Sequence, residues 1–177
     1  TKQTPQIHNE IITDSHQADQ TTASGTDVFE YGEIYNASDR TVPMDGYLSQ
    51  NVNGSTLTEW EIRAGTQIEA GKTLTVWITN AGSKDLTAED FCSYYGVSEN
   101  EIQLVKTTES VNGFSNSGER SIRMIVRNTE QTITRITYND GEETAQPKKG
   151  INYPYVQGQV QTHTLSADPE PTTGTVA

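Results

Sequence analysis

Hard oxygen ligands and an imidazole crowd one stretch near the start of the chain: Glu10, Asp14, His16, Asp19, Asp27 and Glu30. Carboxylates on a loop suit calcium, whose ligands are oxygens and whose coordination geometry is flexible. The spacing is not that of an EF-hand loop, because its central glycine and closing glutamate are missing. Asp14, Asp19 and Asp27 are the candidate metal ligands, with calcium as the ion. The alternative is a solvated acidic loop, and no other cofactor is implied.

Nucleophilic catalysis needs a cysteine or serine beside a histidine that an acid orients. Cys92 is the single cysteine, and His8, His16 and His163 lie near chain ends or in loops. No nucleophile stands at a useful spacing from any of them. Cys92 falls within a short helical stretch beside Phe91 and Tyr95, where a buried thiol without an activating neighbour is expected. Glycoside hydrolysis needs two facing carboxylates, and the order of residues singles out no such pair. No catalytic residue is therefore expected, and this chain is not read as an enzyme. Rings that could stack on sugars are Trp60, Trp77, Tyr153 and Tyr155. Core packing explains Trp60 and Trp77 well, though Trp77 shares a strand face with Thr75 and Thr79. Tyr153 and Tyr155 flank Pro154 and are expected to be partly exposed. Tyr153, Tyr155 and Trp77 are the ligand-binding candidates.

The elements that would position these groups are mostly strands. In Val28–Asp39, Phe29, Tyr31, Glu33 and Tyr35 alternate with Val28, Glu30, Gly32 and Ile34, so one face is an aromatic row interrupted by a carboxylate. Either that row faces water or Glu33 is a paired, buried acid. Asn36, Ser38 and Asp39 end the strand, since short polar side chains bond turn backbone. Further strands are read at 7–12, 40–48, 57–62, 64–71, 74–79, 102–107, 121–127, 132–138, 153–156 and 163–165. Pro43 lacks an amide donor and belongs at a sheet edge or bulge. One helix is expected at Thr87–Tyr95: Thr87 caps it, Asp90 holds the capping-box position, Leu86 staples onto Phe91, and Gly96 supplies the left-handed stop.

Short strands with frequent turn signals and a single helix specify an all-β sandwich. At 177 residues the chain is one domain that buries a core without disulfides, and one cysteine excludes both an internal disulfide and a multi-cysteine zinc site. A net charge of −12 argues against nucleic-acid binding and against docking to anionic lipid. No apolar run is long enough to span a bilayer, so no membrane insertion is expected. The chain opens on Thr1 rather than Met, which reads as a piece of a longer protein.

Taken in order, several segments resemble the lamin tail domain family. Glu33-Ile-Tyr-Asn-Ala-Ser-Asp39, followed by Val42 and Asp45-Gly-Tyr-Leu48, resembles its opening strand, Asn turn and second strand. Trp60, Gly65-Thr-Gln-Ile68 and Ala70-Gly-Lys-Thr-Leu-Thr-Val76 resemble its central hairpin. Ser115-Asn-Ser-Gly-Glu-Arg-Ser-Ile122 is similar to its turn into the next strand, and Thr134-Arg-Ile-Thr-Tyr-Asn-Asp140 to its penultimate strand. The helix at 87–95 and Lys148-Lys-Gly-Ile-Asn-Tyr153 depart from the nuclear form and resemble the bacterial extracellular branch. The resemblance implies an immunoglobulin-like β-sandwich with one inserted helix, in which Glu33, Asn36 and Gly118 are structural. Domain limits are read as a disordered segment at 1–6, the sandwich at 7–166 and a Pro/Thr-rich linker at 167–177. The implied role is a non-catalytic interaction or spacer module of a bacterial surface or secreted protein, outside the cell, beside a hydrolase domain of phosphatase or nuclease type. The alternatives are a module that binds cell-wall polysaccharide or a surface protein, and a calcium-binding module.

Overall fold

The computed structural model describes residues 6–12, 28–108, 114, 118–139, 150–153, 161–163 and 166–168. They form an all-β sandwich with one short helix. The first sheet contains β1 (Gln6–Ile12), β2 (Tyr31–Asn36), β7 (Thr73–Trp77), β8 (Leu104–Lys106), β11 (Gly150–Asn152) and β13 (Ser166–Asp168), in the order β13-β11-β1-β2-β7-β8. The second contains β4 (Tyr47–Asn53), β5 (Thr56–Trp60), β9 (Arg120–Val126), β10 (Thr132–Tyr138) and β12 (Gln161–His163), in the order β12-β10-β9-β4-β5. A small ribbon pairs β3 (Val42–Pro43) with β6 (Gln67–Ile68), and Pro43 is accommodated in this two-stranded pair.

The main core lies between the two large sheets. Ile34, Leu74 and Val76 from the first sheet meet Trp60, Ile122, Met124 and Ile136 from the second. The opposite face of β2 and β7 is also buried, because helix α1 (Ala88–Tyr95) lies over it. Val28, Phe29, Tyr31 and Trp77 pack there against Phe91 and Cys92, and Leu86, Tyr94 and Tyr95 flank them. β7 therefore alternates as expected, with Leu74 and Val76 facing one core and Trp77 the other, and from Leu74 to Trp77 it is buried throughout. A central strand covered on both sides needs no polar face.

Local signals fix α1. Thr87 is extended (φ −96°, ψ 167°), its hydroxyl accepts from the Asp90 amide, and the Asp90 carboxylate accepts from the Thr87 amide. Gly96 ends the helix in the left-handed conformation at φ 67°, and its amide reaches back to the carbonyls of Cys92 and Ser93. Along one side the sandwich is sewn shut. Ile62 bridges Thr107, and the Thr108 amide donates to the Glu61 carbonyl at 3.0 Å, so the edges near β5 and β8 cover one another.

Several boundaries differ from the sequence reading: Gln6, assigned above to the disordered segment, pairs with Asn36 in β1, and the strand read at 40–48 is divided between β3 and β4. Of the strand expected at 153–156, Tyr153 lies outside any strand and 154–156 lie outside the described residues; a strand is found just before it, at Gly150–Asn152, where it pairs with both β1 and β13. Residues 167 and 168, assigned above to the linker, belong to β13. Backbone pairing to β11 holds them in the sheet, a contact that a Pro/Thr-rich composition does not reveal.

Candidate functional site

Glu33 sits in the middle of β2, opposite Thr75 of β7, and is completely buried. The Thr75 hydroxyl donates to its Oε2 at 3.2 Å. Phe29 and Tyr31 of the aromatic row thus face protein, with Tyr35 partly exposed at its end, and the acid within the row is paired. Glu30, 2% exposed, is also bonded: the Phe114 amide donates to its Oε2 at 3.0 Å, while its backbone carbonyl accepts from Ile78. Such bonds offset the several kcal/mol, roughly, that an unbonded polar group loses on burial.

Asn36 ends β2 as a four-way junction. Its Nδ2 donates to the carbonyls of Arg40 (2.8 Å) and Ile68 (2.9 Å), and its Oδ1 accepts from the amide (3.0 Å) and hydroxyl (2.7 Å) of Ser38. Both donors and both lone pairs of the amide are engaged. The side chain ties the end of β2 to the β3–β6 ribbon. Gly118 adopts φ 73°, and an added Cβ would lie 3.0 Å from the Arg120 guanidinium. The left-handed conformation strains any side chain there, while the Arg120 guanidinium, at the end of a flexible side chain, would only have to shift.

Two of the three ligand-binding candidates are corrected. Trp77 is fully buried: its indole N–H donates to the Val28 carbonyl at 2.7 Å, and Phe29 and Phe91 pack on it at 5.8 and 5.0 Å between centroids. Tyr153 is 1% exposed, and its hydroxyl donates to the Thr137 carbonyl at 3.0 Å. A buried acceptor for the phenol explains why a tyrosine beside a proline lies inside. Neither ring presents a face to a sugar. Tyr155 lies outside the described residues, as do Asp14, His16, Asp19 and Asp27. Among the described residues, no three His, Cys, Asp or Glu side chains are arranged to hold a metal.

Cys92 is 4% exposed. Burial, and secondarily the charge of Glu99, push its thiol above the usual range, which disfavours the nucleophilic thiolate. Asp90 is held below the usual carboxylate range, chiefly by the Thr87 backbone bond and then by its hydroxyl.

Two arrangements were not foreseen. Lys106 stands opposite Trp77 in the parallel β7–β8 pair and places its ammonium 4.6 Å from the ring centroid. The same Nζ donates to the carbonyls of Ser83 (3.3 Å), Lys84 (3.2 Å) and Leu86. It fastens the loop that leads into α1. Burial pulls it below the ordinary lysine range. The second arrangement is a polar row across the outer face of the second sheet, where cross-strand register aligns Glu59, Gln50, Arg123 and Arg135. A sequence gives no signal for either, because both depend on which residues of different strands stand opposite each other. A small apolar cavity of about 20 Å³ also lies in the main core, beside Gly32, Ile34 and Phe114.

No family model matches the chain. It is similar to the uncharacterized protein YvnB of Bacillus subtilis (strain 168), with 27% identity over 134 residues. That match covers 73% of this chain and 10% of YvnB, so the chain spans a small part of its relative's length. Among the described residues, no helix is long and apolar enough to cross a membrane.

Proposed function

We propose that this chain is a non-catalytic interaction or spacer module, of lamin tail type, within a larger bacterial surface or secreted protein that also carries a hydrolase domain. The observation that carries this reading is the fate of the groups best suited to chemistry. Glu30 and Glu33 are buried carboxylates, the environment that enzymes use to tune an acid, yet each accepts a hydrogen bond that joins separate parts of the fold. The Cys92 thiol lies on the buried face of α1 with its ionisation disfavoured. Support for the larger context comes from the match to one tenth of a much longer bacterial chain. The resemblance of Glu33–Asp39, Gly65–Ile68 and Ser115–Ile122 to the extracellular bacterial branch supports the location and the immunoglobulin-like assignment.

Turnover of chromogenic esters, phosphate mono- and diesters and DNA, each with added calcium, magnesium, manganese or zinc, tests the proposal. The expected result is no turnover above the metal alone. Metal-dependent turnover that disappears in Asp14→Ala or Asp19→Ala would overturn it and make the acidic stretch at 13–27 a catalytic site.

A further inference from the structure

On the outer face of the second sheet, Arg123 of β9 and Arg135 of β10 are direct cross-strand partners. Like charges in that position repel at close range, and the neighbouring groups neutralise them unevenly. The Arg123 Nε donates to the Gln50 Oε1 at 2.7 Å, and Gln50 in turn donates to the Glu59 Oε1 at 3.0 Å. The Nη2 of Arg123 meets the Glu130 Oε2 at 3.3 Å, but the Glu130 side chain is 87% exposed while that of Arg123 is 16% exposed. A pair of this kind is weak and readily displaced.

Arg135 has no carboxylate partner among the described residues. Its Nη2 donates to the Ser121 hydroxyl at 3.1 Å, and Ser121 and Thr137 share a hydrogen bond of 2.9 Å beneath it. Its Nε is shut off from solvent and has no acceptor among the described residues. A desolvated donor on a permanent cation is an uncommon feature of a folded protein, and a bound water or anion is a usual partner for one.

The geometry points to an oxyanion site between Arg123 and Arg135, of the phosphate class. Two arginines paired across adjacent strands, each with an Nη1 group that makes no hydrogen bond among the described residues, suit an anion with three or four oxygens. A carboxylate would be satisfied by one fork. Occupation would relieve the arginine–arginine repulsion. The site is independent of the module's place in a larger protein. Its natural ligand is either free phosphate or a phosphodiester carried on a polymer.

The test is an NMR titration of the whole chain, following arginine Nε–H and backbone amides. It uses inorganic phosphate, a glycerol-phosphate polymer and acetate, with ionic strength held constant by sodium chloride. Phosphate is expected to give saturable shifts centred on Arg123, Arg135 and Ser121. Arg135→Gln is expected to weaken it by roughly tenfold or more, with its melting temperature in chloride recorded to show that the variant is folded. Arg123→Gln provides the second, independent variant. Saturation by both phosphate and polymer supports a polymer-borne ligand, and saturation by phosphate alone supports the free anion. Shifts that do not saturate, an unchanged affinity in folded Arg135→Gln and Arg123→Gln, or acetate binding as tightly as phosphate would each overturn the assignment.

Discussion

Replacing Lys106 with methionine tests the physical account of how α1 is held on the first sheet. The substitution keeps an unbranched stem of similar reach over Trp77 and removes only the ammonium. Three carbonyls, of Ser83, Lys84 and Leu86, lose their shared donor. Hydrogen bonds to a charged group contribute about 1.5–3 kcal/mol each when isolated, but these share one nitrogen, and the Lys84 bond is exposed. The cation over Trp77 adds about 0.5–2 kcal/mol. Desolvation of the ammonium, which also depresses its pKa, offsets part of this gain. The expected net loss is about 2–3 kcal/mol, equivalent to a fall in Tm of roughly 4–12 °C for a domain of this size. Urea unfolding followed by tryptophan fluorescence would measure it, with unchanged m as the sign that only stability has moved. A double-mutant cycle with Trp77→Phe isolates the cation–ring component. A loss below about 0.5 kcal/mol would refute the reasoning, because it would mean that water replaces the ammonium at all three carbonyls.

Gly32→Ala is expected to raise stability by about 0.5–1 kcal/mol. The new methyl would meet Ile11 at 3.8 Å and Phe114 at 3.9 Å, ordinary contacts beside the small core cavity, and thermal unfolding would detect the gain. Glu33→Ala is expected to cost about 2–4 kcal/mol, since it leaves a void and strips the buried Thr75 hydroxyl of its acceptor; an unchanged melting temperature would contradict the pairing. Asp90 has a folded pKa below its unfolded value of about 3.9. Its contribution is therefore complete above that value and fades as pH falls through the folded pKa, and Asp90→Asn should flatten the acid limb of a stability-versus-pH curve.

Legibility in the sequence followed the range of the interaction. The α1 boundaries, the Thr87–Asp90 capping box and the Gly96 stop were readable because each depends on residues three to nine apart. The turn role of Asn36 was readable for the same reason, through Ser38 two residues on. Its reach to the Ile68 carbonyl, 32 residues away, was not. Tyr153 was misjudged because its burial depends on a carbonyl of β10, and residues 167 and 168 because their partner is β11. The ammonium on Trp77 and the facing arginines share that origin. Composition and periodicity state which residues can occupy a strand, but register decides which chemistry meets across it.

The distribution of polar groups between the two sheets bears on where this module meets other molecules. In the first sheet both faces of β2 and β7 are covered, and Glu33, Asn36 and Trp77 direct their polar atoms to partners within the fold. A ligand would have to displace α1 to reach that layer, which breaks the Tyr95 hydroxyl bond to the Phe29 carbonyl and the ring contacts of Phe91. On the outer face of the second sheet Gln50, Ser121, Ile125 and Thr137 are buried, while Arg123 is partly open to solvent and Leu57 is 46% exposed on edge strand β5. Among the described residues, recognition without unfolding is therefore cheapest around Arg123 and along edge strand β5 of the second sheet. A partner that protected β4, β5 and β9 amides from hydrogen exchange while leaving β2 and β7 unchanged would have the footprint this asymmetry predicts. Protection confined to β2 and β7 would mean that α1 lifts, and would reverse the assignment of faces.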